Sequence, residues 1–135
     1  MNYVYPLLVA AGGALGALCR YMTTLALAGW AGTAFPYGTL VVNGAGSFLI
    51  GLLGVLLSRV YPLPGAAAFL ITGFLGGLTT FSSFMNETLQ FWAAGRWMEG
   101  LGYIFAQLAC GILLVALGAF LAEKIFLYGV PFLMI

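Results

Sequence analysis

Residues 73–84, with the sequence GFLGGLTTFSSF, carry the groups of this chain that are best suited to binding an ion. Adjacent glycines, threonines and serines all disfavour a regular helix here. A local break would free backbone carbonyls near Gly76 and Thr79, which can coordinate a cation. It would also present the hydroxyls of Thr80 and Ser83, which can solvate an anion together with freed N–H groups. The segment therefore predicts an ion site at a helix break and leaves the sign of the ion open.

Phe81 and Phe84 alternate with these hydroxyl residues. They are three positions apart, so they share one face of a helix. Two phenylalanines in an apolar helix ordinarily contact lipid or pack in a core, but these two do not join an apolar stripe. The edge of an aromatic ring carries positive partial charge. The pair can therefore hold a small anion without a fixed charge that would trap it.

A second segment carries a polar stripe of Thr39, Asn43 and Ser47, each four positions from the next. For Thr39 and Ser47, hydrogen bonding between helices, worth ~0.6 kcal/mol, explains the pattern equally well. A functional role is favoured for Asn43, because a large amide in apolar surroundings is costly unless it is hydrogen-bonded. Tyr103 and Gln107, also four apart, form a weaker version of the stripe.

These residues lie in long apolar stretches. The chain has 135 residues, of which 64% are hydrophobic and 5% are charged, too few charges to cover a water-facing surface. About 20 apolar residues span a bilayer, and four stretches, at about 4–29, 38–58, 66–92 and 100–122, meet that length. The sequence predicts an all-α integral membrane protein whose residues 1–135 form one domain of four transmembrane helices. The third helix is expected to be broken near its middle.

The basic residues indicate no preferred orientation in the membrane. Four spans place Arg59 and Lys124 on one side, and Arg96, with Arg20 if it lies near the end of its span, on the other. The positive-inside rule needs an excess of Lys and Arg on one side. A tie predicts that both orientations insert and permits an antiparallel dimer, unless one residue, a lipid or an insertase selects one topology. The net charge of +1 does not indicate nucleic-acid binding.

Glycine is abundant, with 20 copies, most of them inside the apolar stretches. Gly12 and Gly16 form a GxxxG pair, and Gly51 and Gly118 lie in equally apolar surroundings. Glycine lets the backbones of membrane helices approach closely. We therefore interpret these four positions as packing positions in a compact bundle that pairs with a second copy.

Three stretches of the chain resemble the Fluc family of fluoride channels, also called CrcB. They are GGALGA at 12–17, leading to Arg20 and Tyr21; GTLVVN at 38–43, followed by Gly46; and the segment at 73–84. The similarity covers essentially the whole chain in order and spacing, and the third stretch is highly specific. Ser83 stands where threonine is more usual and keeps the hydroxyl. Gln107 is larger than the small hydroxyl residue expected there, and its role is left undetermined.

The resemblance implies a fluoride-selective channel that exports fluoride passively from the cell. It implies a multi-pass protein of the cell inner (plasma) membrane that assembles as an antiparallel, dual-topology homodimer with two separate pores. It also implies a structural Na+ at the dimer centre, held by the backbone carbonyls of Gly76 and Thr79 of both subunits.

The resemblance also assigns the pore residues. Phe81 and Phe84 would form a phenylalanine box, and Asn43 would be the amide that lines the pore. A polar track falls on Thr80, Ser83 and Tyr103. An arginine near a pore mouth falls on Arg20, and an acidic position just beyond the third stretch falls on Glu87. Thr39, from the polar stripe of the second segment, is counted among the pore residues as well.

Two other functions remain open at this point. A proton-coupled exporter of small drugs needs a membrane-embedded carboxylate, but the first span has none and Glu87 lies near a predicted helix end. A non-transporting scaffold of glycine-packed helices would not need Asn43 or the polar break. An enzyme is not expected, because a chain without His or Asp cannot assemble the usual acid–base or metal-ligand sets.

Overall fold

The computed structural model describes residues 3–60 and 62–129, with only the backbone of Val60, Tyr128 and Gly129. All regular structure in these ranges is helical. Four spans are long and apolar enough to cross a membrane: Val4–Ala31, Tyr37–Arg59, Pro64–Ala93 and Trp97–Leu127. This agrees with the predicted all-α architecture.

The first, second and fourth spans correspond to the helices α1 (Val4–Ala31), α2 (Tyr37–Val55, followed by a π-helical segment, Leu56–Val60) and α6 (Trp97–Gly129). The third span comprises α3 (Pro64–Ala67), a π-helical segment (Ala68–Leu75), α4 (Gly76–Leu78) and α5 (Phe81–Ala93). Positive φ angles at Gly32 and Gly95 allow the turns after α1 and α5.

The fourth span is longer than the predicted stretch 100–122, since it begins at Trp97 and ends at Leu127. An apolar run marks only the part of a helix that lies in hydrocarbon. Glu123 and Lys124 are good helix formers, so the helix continues through them after the run has ended.

Helix α1 packs along the first part of the third span through glycines. A Cβ atom added to Gly12 would collide with the carbonyl of Phe69, and one added to Gly16 would collide with the carbonyl of Phe74. Seen from the other helix, a Cβ on Gly77 would collide with the backbone of α1. The two backbones are thus in direct contact, as the GxxxG pair predicts.

Helices α2 and α6 form a second contact of the same kind. A Cβ on Gly51 would collide with the carbonyl of Val115, and a Cβ on Gly118 would collide with the carbonyl of Phe48. We call these two contacts the glycine seams. The second seam holds α2 and α6 at a fixed distance and so determines where the polar side chains of these two helices meet.

Buried side chains form two small apolar clusters. One contains Val42, Leu75 and Leu78, and the other contains Phe84, Phe91 and Tyr103. The outward surface is apolar, with large side chains exposed along every span, as expected for helices that contact lipid. The second cluster lies directly beside the polar segment of the third span.

Candidate ion site

The third span departs from helical geometry at two residues. Thr79 (φ -82°, ψ 154°) and Thr80 (φ -149°, ψ 121°) are both extended. The Thr79 hydroxyl donates to the Leu75 carbonyl at 2.9 Å, and the Thr80 hydroxyl accepts from the Ser83 N–H at 3.2 Å. Thr80 is thereby the N-cap of α5, a position for which threonine is well suited.

The carbonyls of Gly76 and Thr79 are among those that lose their usual helical donors at this point. In a continuous α-helix, the carbonyls of Gly76 and Thr79 would accept from the N–H groups of Thr80 and Ser83. Here the Thr80 N–H donates to Asn43 Oδ1 at 2.8 Å, and the Ser83 N–H donates to the Thr80 hydroxyl. A Cβ added to Gly76 would meet nothing within 4 Å. Both carbonyls are therefore open to another ligand.

Asn43 pairs with the extended backbone at both ends of its amide. Its Oδ1 accepts from the Thr80 N–H, and its Nδ2 donates to the Thr80 carbonyl at 3.0 Å. The amide thus substitutes for helical hydrogen bonds that the third span lacks here. This pairing offsets the cost of placing a large amide at membrane depth.

A chain of hydrogen bonds extends from Asn43 away from the third span. Asn43 Nδ2 also donates to Gln107 Oε1 at 3.2 Å, and Gln107 Nε2 donates to the Tyr103 hydroxyl at 2.8 Å. Tyr103 donates to Glu87 Oε2 at 2.6 Å, and Thr39 donates to Glu87 Oε1 at 2.6 Å. We call this series, from Thr80 through Asn43, Gln107 and Tyr103 to Glu87, the polar chain. It joins α2, α5 and α6.

Aromatic rings surround the polar chain. Phe81 and Phe84 meet edge to face, with centroids 5.9 Å apart, and Phe84 meets Tyr103 edge to face at 5.4 Å. Phe35 and Phe91 also contact the Tyr103 ring, at 5.4 Å and 5.8 Å. Tyr103 is only 1% exposed, whereas Phe81 is 72% exposed. Phe81 therefore presents its ring at an open surface of the isolated chain.

A cavity lies at each end of the polar chain. The larger, of about 580 Å³, is lined by Asn43, Thr80, Phe81, Phe84 and Gln107, together with Gly76 and Thr79. The smaller, of about 250 Å³, lies near the helix ends. Its lining includes Glu87, Gln90 and Arg96. The polar chain thus connects the middle of the third span to the side where α1 ends and α6 begins.

Arg96 lies at the edge of the smaller cavity. It donates to both carboxylate oxygens of Glu99, at 2.7 and 2.5 Å, and to the Ala34 carbonyl at 3.1 Å. Its guanidinium lies 4.6 Å from the centroid of the Phe91 ring. The hydrogen bond to Glu99 raises the pKa of the guanidinium above its ordinary value. Arg96 therefore stays protonated at this end of the polar chain, and the carboxylate of Glu99 balances its charge.

Arg20 lies apart from the polar chain. It is on α1 and donates from Nε to the Gly77 carbonyl at 3.1 Å, two residues before the first extended residue. The remaining predicted pore residues (Thr39, Asn43, Thr80, Phe81, Ser83, Phe84, Glu87 and Tyr103) lie along the polar chain or in direct contact with it.

Sequence reasoning missed three residues that shape the site. Phe91 follows Phe84 by seven positions, which is a recognisable helical spacing, and it packs against Tyr103. Phe35 and Arg96 lie in connections between helices, where no periodicity marks their contacts. Gln107, whose role the sequence left undetermined, links the two halves of the polar chain.

Acidic and sulfur ligands do not form a metal site in the part of the chain that the structure describes. No group of three or more His, Cys, Asp or Glu residues comes together there. A cation at the third span would have to be held by oxygens of the backbone or of hydroxyl groups. Gly76 and Thr79, whose carbonyls lack their helical donors, fit that requirement for a hard cation.

Comparisons with known proteins agree with this architecture. The family described as CrcB-like protein, Camphor Resistance (CrcB), matches residues 7–119. A protein of Rhizobium meliloti is 46% identical over 119 residues, covering 87% of this chain and 94% of its own length. One of Desulfotalea psychrophila is 43% identical over 119 residues, with 88% and 92% covered. One of Hydrogenobaculum sp. is 43% identical over 122 residues, with 90% and 97% covered.

All three relatives bear the name "Fluoride-specific ion channel FluC", so the family consists of ion channels and not of enzymes. The match at residues 7–119 reaches into all four spans and includes the residues of the polar chain. Together with the four apolar helices, it identifies a multi-pass membrane protein. The chain belongs to the CrcB family.

Proposed function

We propose that this protein is a fluoride-selective channel that lets fluoride leave the cell passively through the inner (plasma) membrane. The observation that carries the proposal is the extended segment at Thr79 and Thr80, where neutral donors and ring edges meet inside a membrane span. The relatives named as fluoride-specific channels support the choice of ion. No observation favours a proton-coupled exporter or a scaffold over this function.

The chemistry of the site suits a small, strongly hydrated anion. A pore must replace the water around such an ion with other donors and still let it leave. Asn43, Thr80 and Ser83 supply neutral N–H and O–H groups, while Phe81 and Phe84 supply ring edges. None of these groups carries a fixed positive charge, so the ion is dehydrated without being held permanently.

Two charged residues complete the path in this proposal. Arg20, which donates to the Gly77 carbonyl, contributes positive charge near the extended segment and attracts anions. Glu87 terminates the polar chain at the smaller cavity, where it accepts from Tyr103 and Thr39. Its carboxylate keeps the hydroxyl hydrogens of both residues in one direction.

A second copy of the chain, inserted in the opposite orientation, completes two pores in this proposal. Phe81 is 72% exposed beside the larger cavity, so its ring edge faces no protein wall within the single chain. Arg59 and Lys124 on one side face Arg96 on the other, and so small an excess of basic residues supports insertion in both orientations. Covering this open face with an inverted copy would enclose the phenylalanine pairs of both subunits.

A structural Na+ between the two copies is part of the proposal. The carbonyls of Gly76 and Thr79 would hold it, since their usual helical donors are engaged elsewhere and Gly76 has no side chain to block access. When bound, the ion would neutralise carbonyl dipoles that converge at the centre of the dimer. It would stabilise the assembly rather than be transported.

The test is fluoride efflux from liposomes that contain only this purified chain, followed with a fluoride electrode. We expect electrogenic efflux without a proton gradient, and a loss on the order of tenfold or more in Phe81→Ile and in Asn43→Asp, since each ~1.4 kcal/mol of lost stabilisation is tenfold. Phe105→Ile is the matched control, because Phe105 is 74% exposed and does not line the cavities described.

The outcomes separate the parts of the proposal. No efflux from wild-type liposomes would rule out the channel function. Efflux that requires a proton gradient would indicate a coupled exporter instead. Wild-type efflux that Phe81→Ile and Asn43→Asp leave intact would show that the ion passes elsewhere.

A further inference from the structure

We propose that Arg96 is a positioning residue for the pore. By holding the connection between α1 and α2 at the Ala34 carbonyl, it keeps Phe35 against the Tyr103 ring and so fixes the direction of the Tyr103 hydroxyl. The inference rests on the fluoride channel function proposed above, because it concerns how fast that path conducts.

The Tyr103 hydroxyl serves the polar chain in one position only. It accepts from Gln107 Nε2 at 2.8 Å and donates to Glu87 Oε2 at 2.6 Å. A change of the Tyr103 side chain to another rotamer would carry the hydroxyl away from both partners. The ring is only 1% exposed, so the side chains packed around it decide which position the hydroxyl takes.

Three phenylalanine rings contact the Tyr103 ring, and they are held in different ways. Phe84 and Phe91 both lie on α5, whose backbone is fixed by helical hydrogen bonds. Phe35 lies in the connection 32–36, which has no regular structure. The position of the Phe35 ring therefore depends on what holds this connection in place.

One hydrogen bond ties the connection to the far side of the site. Arg96 Nη2 donates to the carbonyl of Ala34, the residue directly before Phe35. The backbone bonds made by the Phe35 and Pro36 carbonyls lead only to α2. Within the described ranges, no other hydrogen bond joins residues 32–36 to α5, to α6 or to the turn between them. Arg96 is thus the polar anchor of this connection.

The turn after α5 prepares Arg96 for this role. Gly95 has a positive φ, and the Arg96 N–H donates back to the Phe91 carbonyl at 2.9 Å, as in a Schellman turn. The guanidinium then lies 4.6 Å from the centroid of the Phe91 ring, and Glu99 accepts from its Nε and Nη2. A long side chain loses rotamer freedom when it is ordered, and these contacts offset that loss. Arg96 therefore reaches Ala34 from a fixed base.

The same hydrogen bond joins two walls of the smaller cavity. Ala34 and Pro36 line this cavity from the connection, whereas Gln90 and Arg96 line it from α5 and the turn that follows. A displaced connection would change the shape of this cavity and the packing of Tyr103 together. The exposed Arg96 side chain would in this way control a hydroxyl that it does not touch.

The first measurement is fluoride efflux from liposomes that contain Arg96→Gln, whose side chain is neutral and too short to hold both Ala34 and Glu99. We expect efflux to slow by about threefold to tenfold, the effect of losing roughly one hydrogen bond's worth of positioning. The same substitution is then made in a Tyr103→Phe background. There it should slow efflux no further, because the hydroxyl that Arg96 positions is already absent.

Arg59→Gln is the matched control, since it removes an arginine from another exposed ion pair and should leave efflux unchanged in both backgrounds. An Arg96→Gln rate equal to that of the wild type would overturn the proposal. An equal fold loss in both backgrounds would also overturn it, because Arg96 would then act independently of the hydroxyl. Phe35→Leu is a second variant, which leaves the arginine in place, and it should give the same pattern as Arg96→Gln.

The second measurement does not depend on flux. The chain has seven tyrosines, so their ring signals can be followed by NMR after ¹³C labelling, and Tyr103 is assigned by the signal that Tyr103→Phe lacks. Arg96→Gln and Phe35→Leu should both displace the Tyr103 signal, whereas Arg59→Gln should leave it in place. An undisplaced signal in Arg96→Gln would show that the guanidinium does not position this ring.

Failure of this inference and failure of the channel function look different. If the Tyr103 signal moves as expected but wild-type liposomes show no fluoride efflux, the positioning role is correct and the proposed function is wrong. If wild-type liposomes conduct fluoride but the signal stays in place in Arg96→Gln, the function stands and the positioning role is wrong.

Discussion

The glycine seams and the polar chain hold the spans of this protein together by opposite means. At the seams, the backbones of α1 and the third span, and of α2 and α6, touch because glycine leaves out a side chain. At the polar chain, side chains of Asn43, Gln107 and Tyr103 fill the space between helices and pair donor with acceptor. Packing at the seams depends on the Cβ atoms that glycine lacks. Packing at the polar chain depends on the matching of hydrogen-bond donors with acceptors.

The difference teaches where this protein tolerates change. A seam has no space, so one added methyl group must push two backbones apart. The polar chain has a cavity at each end, so it accepts a change of volume but not a mismatch of donors. Substitutions that test the comparison should therefore affect folding at the seams and conduction at the polar chain.

The largest effect is expected at a seam. In Gly16→Ala, the new methyl group would meet the Phe74 carbonyl and the Leu78 N–H, and should destabilise the fold by ~1–3 kcal/mol or more. Gly54→Ala is the matched control, because a Cβ there meets nothing within 4 Å and alanine favours helix by ~0.5–1 kcal/mol. Thermal unfolding in detergent should give shifts of opposite sign. Equal shifts would mean that the seams are not close-packed.

The next effect is expected at the start of the polar chain. Asn43→Ala leaves the Thr80 N–H and carbonyl without their side-chain partner, which should cost ~1–3 kcal/mol of stability and most of the fluoride efflux. Efflux and thermal unfolding should be measured on the same preparation, with Asn86→Ala at an exposed position as the control. A variant that is destabilised but conducts normally would make Asn43 a structural residue only.

A smaller effect is expected from Tyr103→Phe. The ring contacts with Phe84 and Phe91 persist, but Gln107 Nε2 and Glu87 Oε2 each lose a partner. We expect a stability loss of ~1 kcal/mol and a several-fold slower fluoride efflux. Tyr21→Phe, at a 60% exposed position, is the control. An efflux rate equal to the wild type would show that the hydroxyl is not part of the path.

The smallest effect is expected outside both regions. Arg59 and Glu123 lie 3.7 Å apart with side chains that are 67% and 55% exposed. Such a pair contributes ~0–1 kcal/mol, and salt weakens it further. Arg59→Gln should therefore leave the melting temperature and fluoride efflux close to those of the wild type at moderate ionic strength. A shift as large as that of Gly16→Ala would contradict the view that packing dominates stability here.

Local patterns in the sequence were sufficient for the spans and for the glycine positions. Apolar runs of bilayer length marked the four helices, and the GxxxG spacing at Gly12 and Gly16 marked one seam, since both signals depend only on neighbours along the chain. The pairs of Gly, Thr and Ser in residues 73–84 pointed to the segment in which Thr79 and Thr80 are extended. The three stretches that resemble CrcB were enough to indicate the family.

Only the tertiary structure decided which groups face each other. Asn43 meets Thr80 across 37 positions, and it meets Gln107 across 64. Arg20 contacts the Gly77 carbonyl, and Arg96 reaches the Ala34 carbonyl, although neither contact follows a sequence period. Helical periodicity determines which side chains share a face, but the rotation and spacing of packed helices determine which faces meet. Here that spacing depends on glycines whose backbones touch, so the hydrogen-bond partners of the polar chain cannot be read from the local sequence.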